Sequence, residues 1–183
     1  MIKTRLFIYQ FFIAALILFG AVQSFGQTTW NVPGDGSNDC MMVSPSCDTI
    51  QEAIDAAIAG DTVNVAAGNY PENINLDRRL TLRGAQVGVD ACGRVAGEST
   101  ITGAGTLLNL VTGSAGSIIN GFTFSGGVTQ INSSSGPIDD LQILNNRFVD
   151  FTGSGVFLNN SGEDITVNQN LIDGTSQGGG GGI

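Results

Sequence analysis

Residues 117–127 read SIINGFTFSGG, residues 141–151 read LQILNNRFVDF, and residues 165–175 read ITVNQNLIDGT. Ile119 and Phe124 thus return as Ile143 and Phe148, and again as Val167 and Ile172, each step being 24 residues. Asparagine and a following small or acidic residue return in the same phase. Short apolar runs repeating at this interval, with no helical stripe between them, predict stacked turns of a solenoid in which each turn buries its face on the next. Asn146 and Asn170 share one phase of the repeat. An asparagine at a corner tolerates left-handed backbone angles and can hydrogen-bond along the stack to its equivalent, so these two are expected to form a structural ladder.

Working back from the repeats, the pattern alternates with a period of two at Val63 and Val65, Ile74 and Leu76, and Leu80 and Leu82. Turn signals at Ala67-Gly68-Asn69 and Asp77-Arg78 separate these runs, which predicts three short strands forming one turn of the solenoid. Residues 84–98 are polar and leave the stack; Ile101 resumes it. Inward candidates beyond that point include Leu107, Leu108, Leu110, Phe122, Val128, Ile131, Val156, Phe157 and Leu158. About five turns fit the remaining length, a rod roughly 25 Å tall at about 4.8 Å per strand. Ahead of them, residues 49–60 carry the one convincing helix, with Ile50, Ile54, Ala57 and Ile58 on one stripe, start signals at Asp48/Gln51 and Thr49/Glu52, and Gly60 as the stop. A single amphipathic helix at this place is expected to cap the open end of the hydrophobic stack.

Residues 27–48 read as an irregular lead-in rich in Gly, Pro, Ser and Asp. Asp35 to Asp39 faintly resembles a calcium loop, but Cys40 stands where such a loop needs glycine, and a plain turn is expected. Residues 1–26 have the form of a signal peptide: Lys3 and Arg5, an apolar run from Leu6 to Val22, and a small-x-small site at Ser24-Phe25-Gly26. The apolar run is about long enough to span a bilayer, but its flanks are those of a cleaved leader. Cleavage there leaves five arginines, no lysine and no histidine against 16 carboxylates, a formal charge of −11. Such a surface repels phosphate backbones and anionic membranes, which excludes nucleic acid as a natural partner and argues against membrane insertion after cleavage. It also repels acidic glycans unless cations bridge the two. In an exported chain three cysteines allow one disulfide. Cys40 with Cys47 would staple the lead-in; Cys92 could instead pair with either or stay a thiol.

The stretch TIQEAIDAAIAGDTVNVAAGNYPENINLDRRLTLRGA, residues 49–85, resembles the N-terminal part of right-handed parallel β-helix proteins of the pectin-lyase-like superfamily. Its pieces are the capping helix, Gly-Asp leading into the first strand, Gly-x-Tyr-x-Glu at the first corner, and a Leu-x-Leu-x-Gly strand. The resemblance continues through the repeats to about Asp173. It implies an all-β fold, a right-handed parallel β-helix of about 24 residues per coil with an N-terminal capping α-helix, occupying residues 61–183. It implies less about activity, since the superfamily holds lyases, esterases, hydrolases, adhesins and members without assigned activity. The lyases are expected to use Arg or Lys as base beside a calcium-binding carboxylate cluster, yet lysine is absent after the leader and Arg147 is the sole arginine of the later coils. Esterase-like members need two Asp with Gln and Arg; Gln142, Arg147 and Asp150 are the right types without the surrounding motif. Hydrolases of this shape carry histidine, which is lacking. Asp139 and Asp140 are adjacent and in a strand would face opposite ways.

One constellation of candidate ligands remains. Asp150 and Asp173 follow the inward residues of successive coils, with Glu163 and Asp164 in a nearby corner, and carboxylates gathered in this way would favour calcium, the one cofactor the sequence suggests. The leading functional expectation is a secreted or cell-surface module contacting extracellular polysaccharide, in a binding or structural role. A polysaccharide lyase, hydrolase or esterase with catalytic residues in further C-terminal coils is the alternative. A self-associating adhesin or matrix protein joined end to end is the third. Gly155-Val156 opens a strand, and Gly182-Ile183 after the glycine run matches that opening, so the sequence is expected to be an N-terminal piece of a longer protein.

Overall fold

The computed structural model describes residues 26–34, 40–41, 45–95, 97–133, 136–159 and 162–174. The expected signal peptide apart from Gly26, the Asp35–Asp39 turn and the terminal glycine run with Ile183 lie outside the described residues. Among the described residues, fifteen strands form three parallel sheets beside one short helix, an all-β architecture consistent with a parallel β-helix.

The chain visits the sheets in rotation. Strand β1 (Thr29–Val32) is followed by helix α1 (Ile50–Ala56) and then by β2 (Thr62–Val65), β3 (Gly68–Pro71) and β4 (Ile74–Leu76), each in a different sheet. The rotation repeats through β5 (Thr81–Arg83), β6 (Ser99–Gly103) and β7 (Thr106–Leu110), then β8 (Ile118–Asn120), β9 (Phe122–Gly126) and β10 (Thr129–Ser133), then β11 (Gln142–Leu144), β12 (Arg147–Val149) and β13 (Ser154–Leu158), ending with β14 (Thr166–Asn168) and β15 (Leu171–Asp173). Sheet I has the order β1-β2-β5-β8-β11-β14, sheet II β3-β6-β9-β12-β15, and sheet III β4-β7-β10-β13. Neighbouring strands in all three sheets are parallel, so like faces stack and the inward residues form continuous columns.

The 24-residue interval is visible in the pairing itself. Gln142 lies between Ile118 and Thr166, and Phe148 between Phe124 and Ile172. In sheet III the interval is 23 and then 25, from Thr106 to Thr129 to Ser154. It differs again near the start: Thr62 pairs with Thr81, and Thr81 with Ile118, the second gap containing the polar segment 84–98. The corners keep the same phase. Left-handed backbone angles occur at Gly116, Asp140 and Asp164, at Gly121, Asn145 and Gln169, and at Gly126 and Asp150. Glycine gives way to Asp, Asn or Gln at these positions, mostly types whose short polar side chains tolerate that conformation.

The strands bury what the alternation predicts: Val63, Leu82, Ile119 and Ile143 in sheet I, Ile101, Phe124 and Phe148 in sheet II, and Leu108, Ile131 and Val156 in sheet III. The rings of Phe124 and Phe148 stack 5.2 Å apart. Several expectations need correction. Val128 and Phe157 are half exposed, at 52% and 50%, because Val128 sits in the corner before β10 and Phe157 follows the inward Val156. Gly68–Pro71 is a strand where turn signals suggested a corner; its inward residue is Tyr70, and Leu80–Leu82 belongs to the next turn. The lead-in begins with a true strand, β1, which buries Trp30 and Val32 and pairs with β2. The helix ends at Ala56, with Ala57 already extended, and Ile58 is exposed.

Helix α1 lies over the end of the stack, with Ile50, Ala53 and Ile54 buried. Thr49 caps it: its Oγ1 accepts from the Glu52 amide at 3.1 Å, and the Glu52 carboxylate accepts from the Thr49 amide at 3.2 Å. A second carboxylate, Glu72, accepts from the Ile50 and Gln51 amides at 3.0 Å each. Cys40 and Cys47 form a disulfide across the lead-in.

Candidate functional site

The Asn146/Asn170 pair acts inside the stack. Asn146 Oδ1 accepts from the Phe122 amide at 3.0 Å, its Nδ2 donates to the Ile119 carbonyl at 2.9 Å, and its own amide donates to Asn170 Oδ1 at 2.8 Å. Asn170 Nδ2 in turn donates to the Ile143 carbonyl at 2.7 Å. The left-handed angles belong one residue earlier, to Asn145 and Gln169, so each corner divides the two tasks between neighbours. These side chains satisfy backbone groups at the bend and are not available to a ligand.

The four candidate calcium ligands do not converge. Among the described residues, no group of three or more His, Cys, Asp or Glu side chains could hold a metal ion. Asp173 is placed next to Val149 in sheet II, and Asp150 occupies the left-handed corner just after it, where its Oδ2 accepts from Ser125 Oγ at 3.3 Å. Glu163 and Asp164 lie at a different corner, where the Glu163 amide donates to Asp139 Oδ1 at 3.0 Å. Asp139 and Asp140 are in that corner and not in a strand, with Asp140 left-handed. Cys92 is an exposed thiol. Among the described residues, no helix is long and apolar enough to cross a membrane.

The structure instead builds a concave surface at the other end of the molecule. A groove of about 530 Å³ is lined by the ends of β1 and β2 with the residues that follow them, and by Arg83, Gly84, Ala85 and Val87. Parallel register generates its floor. Asn31 pairs with Asn64 and Asn64 with Arg83, so three outward side chains fall in one column, one strand apart, about 4.8 Å each. None of the three side chains has a hydrogen-bond or ion-pair partner among the described residues. Pro33, Val65, Ala66, Ala85 and Val87 supply apolar walls.

The far wall of the groove exists because the chain leaves the stack at Gly84. A Cβ there would lie 2.3 Å from the Gly121 carbonyl oxygen, and a Cβ on Gly121 would lie 2.3 Å from the Val87 nitrogen. Two glycines back to back let residues 84–88 run against the next turn, fixed by the Gln86 amide on the Gly121 carbonyl at 3.2 Å and the Gly88 amide on Asn120 Oδ1 at 3.1 Å. Asn120 is the next member of the outward column after Arg83, so the segment roofs that position and ends the open floor there. Ser99 Oγ closes the other end of the excursion, accepting from the Ala85 amide at 2.8 Å and donating to the Val65 and Ala66 carbonyls.

Chemically the groove offers two amides, each a donor and an acceptor, beside a guanidinium that presents a fork to a carboxylate or to paired hydroxyls. The sequence pattern contained this site in the outward phase of the TWNV, TVNV and TLR strands, but it became visible only once β1 was known to be a strand. Comparison of the chain with protein-family models, with curated proteins and with solved structures finds no match.

Proposed function

We propose that the chain is an exported module of right-handed parallel β-helix form, close to the pectin-lyase-like kind with about 24 residues per closed coil, and that it binds extracellular polysaccharide. The observation that carries the reading is the Asn31–Asn64–Arg83 column in its groove. Hydrogen-bonding side chains repeated at a fixed spacing suit a linear chain of sugars, whose hydroxyls are both donors and acceptors. Arg83 adds a positive point on an otherwise acidic protein, so a uronic-acid residue could be met locally where the net charge would repel it. The Cys40–Cys47 disulfide supports an oxidising destination.

The test is isothermal titration of oligogalacturonate and of neutral xylo- and cello-oligosaccharides into the purified chain. Binding of the acidic series is expected, with Arg83→Gln weakening it about tenfold, the value of one charge-assisted hydrogen bond. A wild-type chain that binds none of the three series, or a variant that binds oligogalacturonate unchanged, overturns the proposal.

A further inference from the structure

Two arginines, Arg94 and Arg147, meet on the outer face of sheet II, beneath the excursion 84–98. Arg147 on β12 stands beside Thr123 on β9 in register. The loop returns across them and inserts Arg94, whose side chain is 1% exposed, and Glu98, 15% exposed. Arg94 Nε and Arg147 Nη1 both approach a single oxygen, Glu98 Oε1, at 3.4 and 3.9 Å. The other Glu98 oxygen accepts from Thr123 Oγ1 at 2.8 Å. Arg94 Nη2 donates to the Phe122 carbonyl at 3.2 Å.

The cluster is short of acceptors. Arg94 Nε and Nη1 and Arg147 Nε are all buried without a hydrogen-bond partner among the described residues, and Glu98 Oε1 is near enough to pair as a charge but not aligned to accept. Two guanidiniums share the Glu98 carboxylate, and Asp90 adds a second negative charge near Arg94. Burial, with the neighbouring Arg147 adding to it, holds the Arg94 guanidinium below its usual range, against the opposing pull of Glu98 and Asp90. An unpaired buried donor is costly, and more so when charged, so three of them side by side call for an acceptor. Arg147, 31% exposed, leaves a way in from solvent.

We propose that Arg94 and Arg147 form a binding site for a small monoanion, chloride or a free carboxylate, held by Arg94 Nε and Nη1 and Arg147 Nε, with Glu98 as the competing internal anion. The site is separate from the groove at Arg83. Occupancy ties the excursion, through Arg94, to strands β9 and β12.

The test is the ³⁵Cl NMR linewidth of chloride at fixed ionic strength in the presence of the purified chain. The wild-type chain and Arg83→Gln are expected to broaden the line equally, and Arg147→Gln to lose most of the broadening. Glu98→Gln removes the competitor and is expected to tighten chloride binding about tenfold; a purely structural ion-pair network predicts no gain in anion affinity from that change. Relief of the broadening by sodium acetate identifies a carboxylate as an accepted occupant, and its persistence identifies the site as selective for halide; either supports the site. Absence of broadening by the wild-type chain, equal broadening by Arg147→Gln, or weaker binding by a folded Glu98→Gln protein overturns it.

Discussion

The first turn and the later turns of this molecule solve the same problem by different means. Between residues 117 and 173 the stack is held by repetition: left-handed corners every 24 residues, inward apolar columns, and asparagines that satisfy the backbone of the adjoining turns. At the capped end each solution is used once. Asp61, buried, accepts from the Thr28 amide at 2.8 Å, Trp30 Nε1 at 3.1 Å and the Ile58 amide at 3.0 Å, binding β1, the segment after the helix and the start of β2 at one carboxylate. Glu72, just after β3, caps the helix from 22 and 21 residues away, and Tyr70 reaches two carbonyls. A repeat can lean on its neighbour, whereas an end has a neighbour on one side only and must close itself with long-range side-chain contacts.

The comparison is broken most directly at Asp61. Asp61→Ala leaves three donors unpaired, the buried Trp30 indole N–H and the half-buried Thr28 and Ile58 amides, and is expected to cost about 4 kcal/mol, read as a lowered urea midpoint. Hydrogen exchange should speed up in β1 and α1 while amides of β8, β9, β11 and β12 keep their protection, since a linear stack can lose its end without losing its middle. Uniform acceleration throughout would mean that the stack unfolds as one unit and that the two regions are not energetically distinct.

Asn146→Ala is the matching change in the repeats. It deletes an acceptor for the Phe122 amide and a donor for the Ile119 carbonyl, both buried, and is expected to cost about 2 kcal/mol. The loss should appear in the exchange of Phe122 and its neighbours and leave the Trp30 indole N–H protected. Protection lost equally at Trp30 would again erase the distinction.

This division also explains what could be read from the residues alone. Phe124, Phe148 and Ile172 announce their strands because the same phase recurs, and Asn146 and Asn170 announce a ladder for the same reason. The left-handed residue was read one position late, since Asn145 and Asn146 are the same type and spacing does not tell which one bends the chain. β1 was missed because TWNV is four residues long and flanked by Gly, Pro and Ser; its partner β2 lies 33 positions on, outside any repeat. The groove went unseen with it, because the Asn31–Asn64–Arg83 column needs all three strands in register. The carboxylates at Asp150, Asp173, Glu163 and Asp164 were legible as residue types, yet their separation between two corners depended on where each turn bends. Arg94 was hidden most completely: nothing in a polar excursion signals that one of its charged side chains folds inward onto the sheet.

Tyr70 gives the smallest effect and the cleanest sign. Its hydroxyl donates to the Ala66 carbonyl at 2.8 Å and also lies 3.2 Å from the Val32 carbonyl, linking β3 to the end of β1. Burial, and secondarily the Glu72 carboxylate, raises the phenol above its usual pKa of 10.0. The folded state therefore prefers the protonated form: the stability this group contributes is complete below the unfolded value near 10 and is lost as pH rises through the folded one. Tyr70→Phe removes both the hydrogen bonds and the titration. At neutral pH it should cost about 1 kcal/mol, a loss again confined to the capped end, and above pH about 10 the gap between the two proteins should narrow as the wild-type chain gives up what the variant never had. A gap that widens on the alkaline side would show that the phenolate is favoured in the fold, and would place the satisfaction of the Val32 and Ala66 carbonyls on some group other than Tyr70.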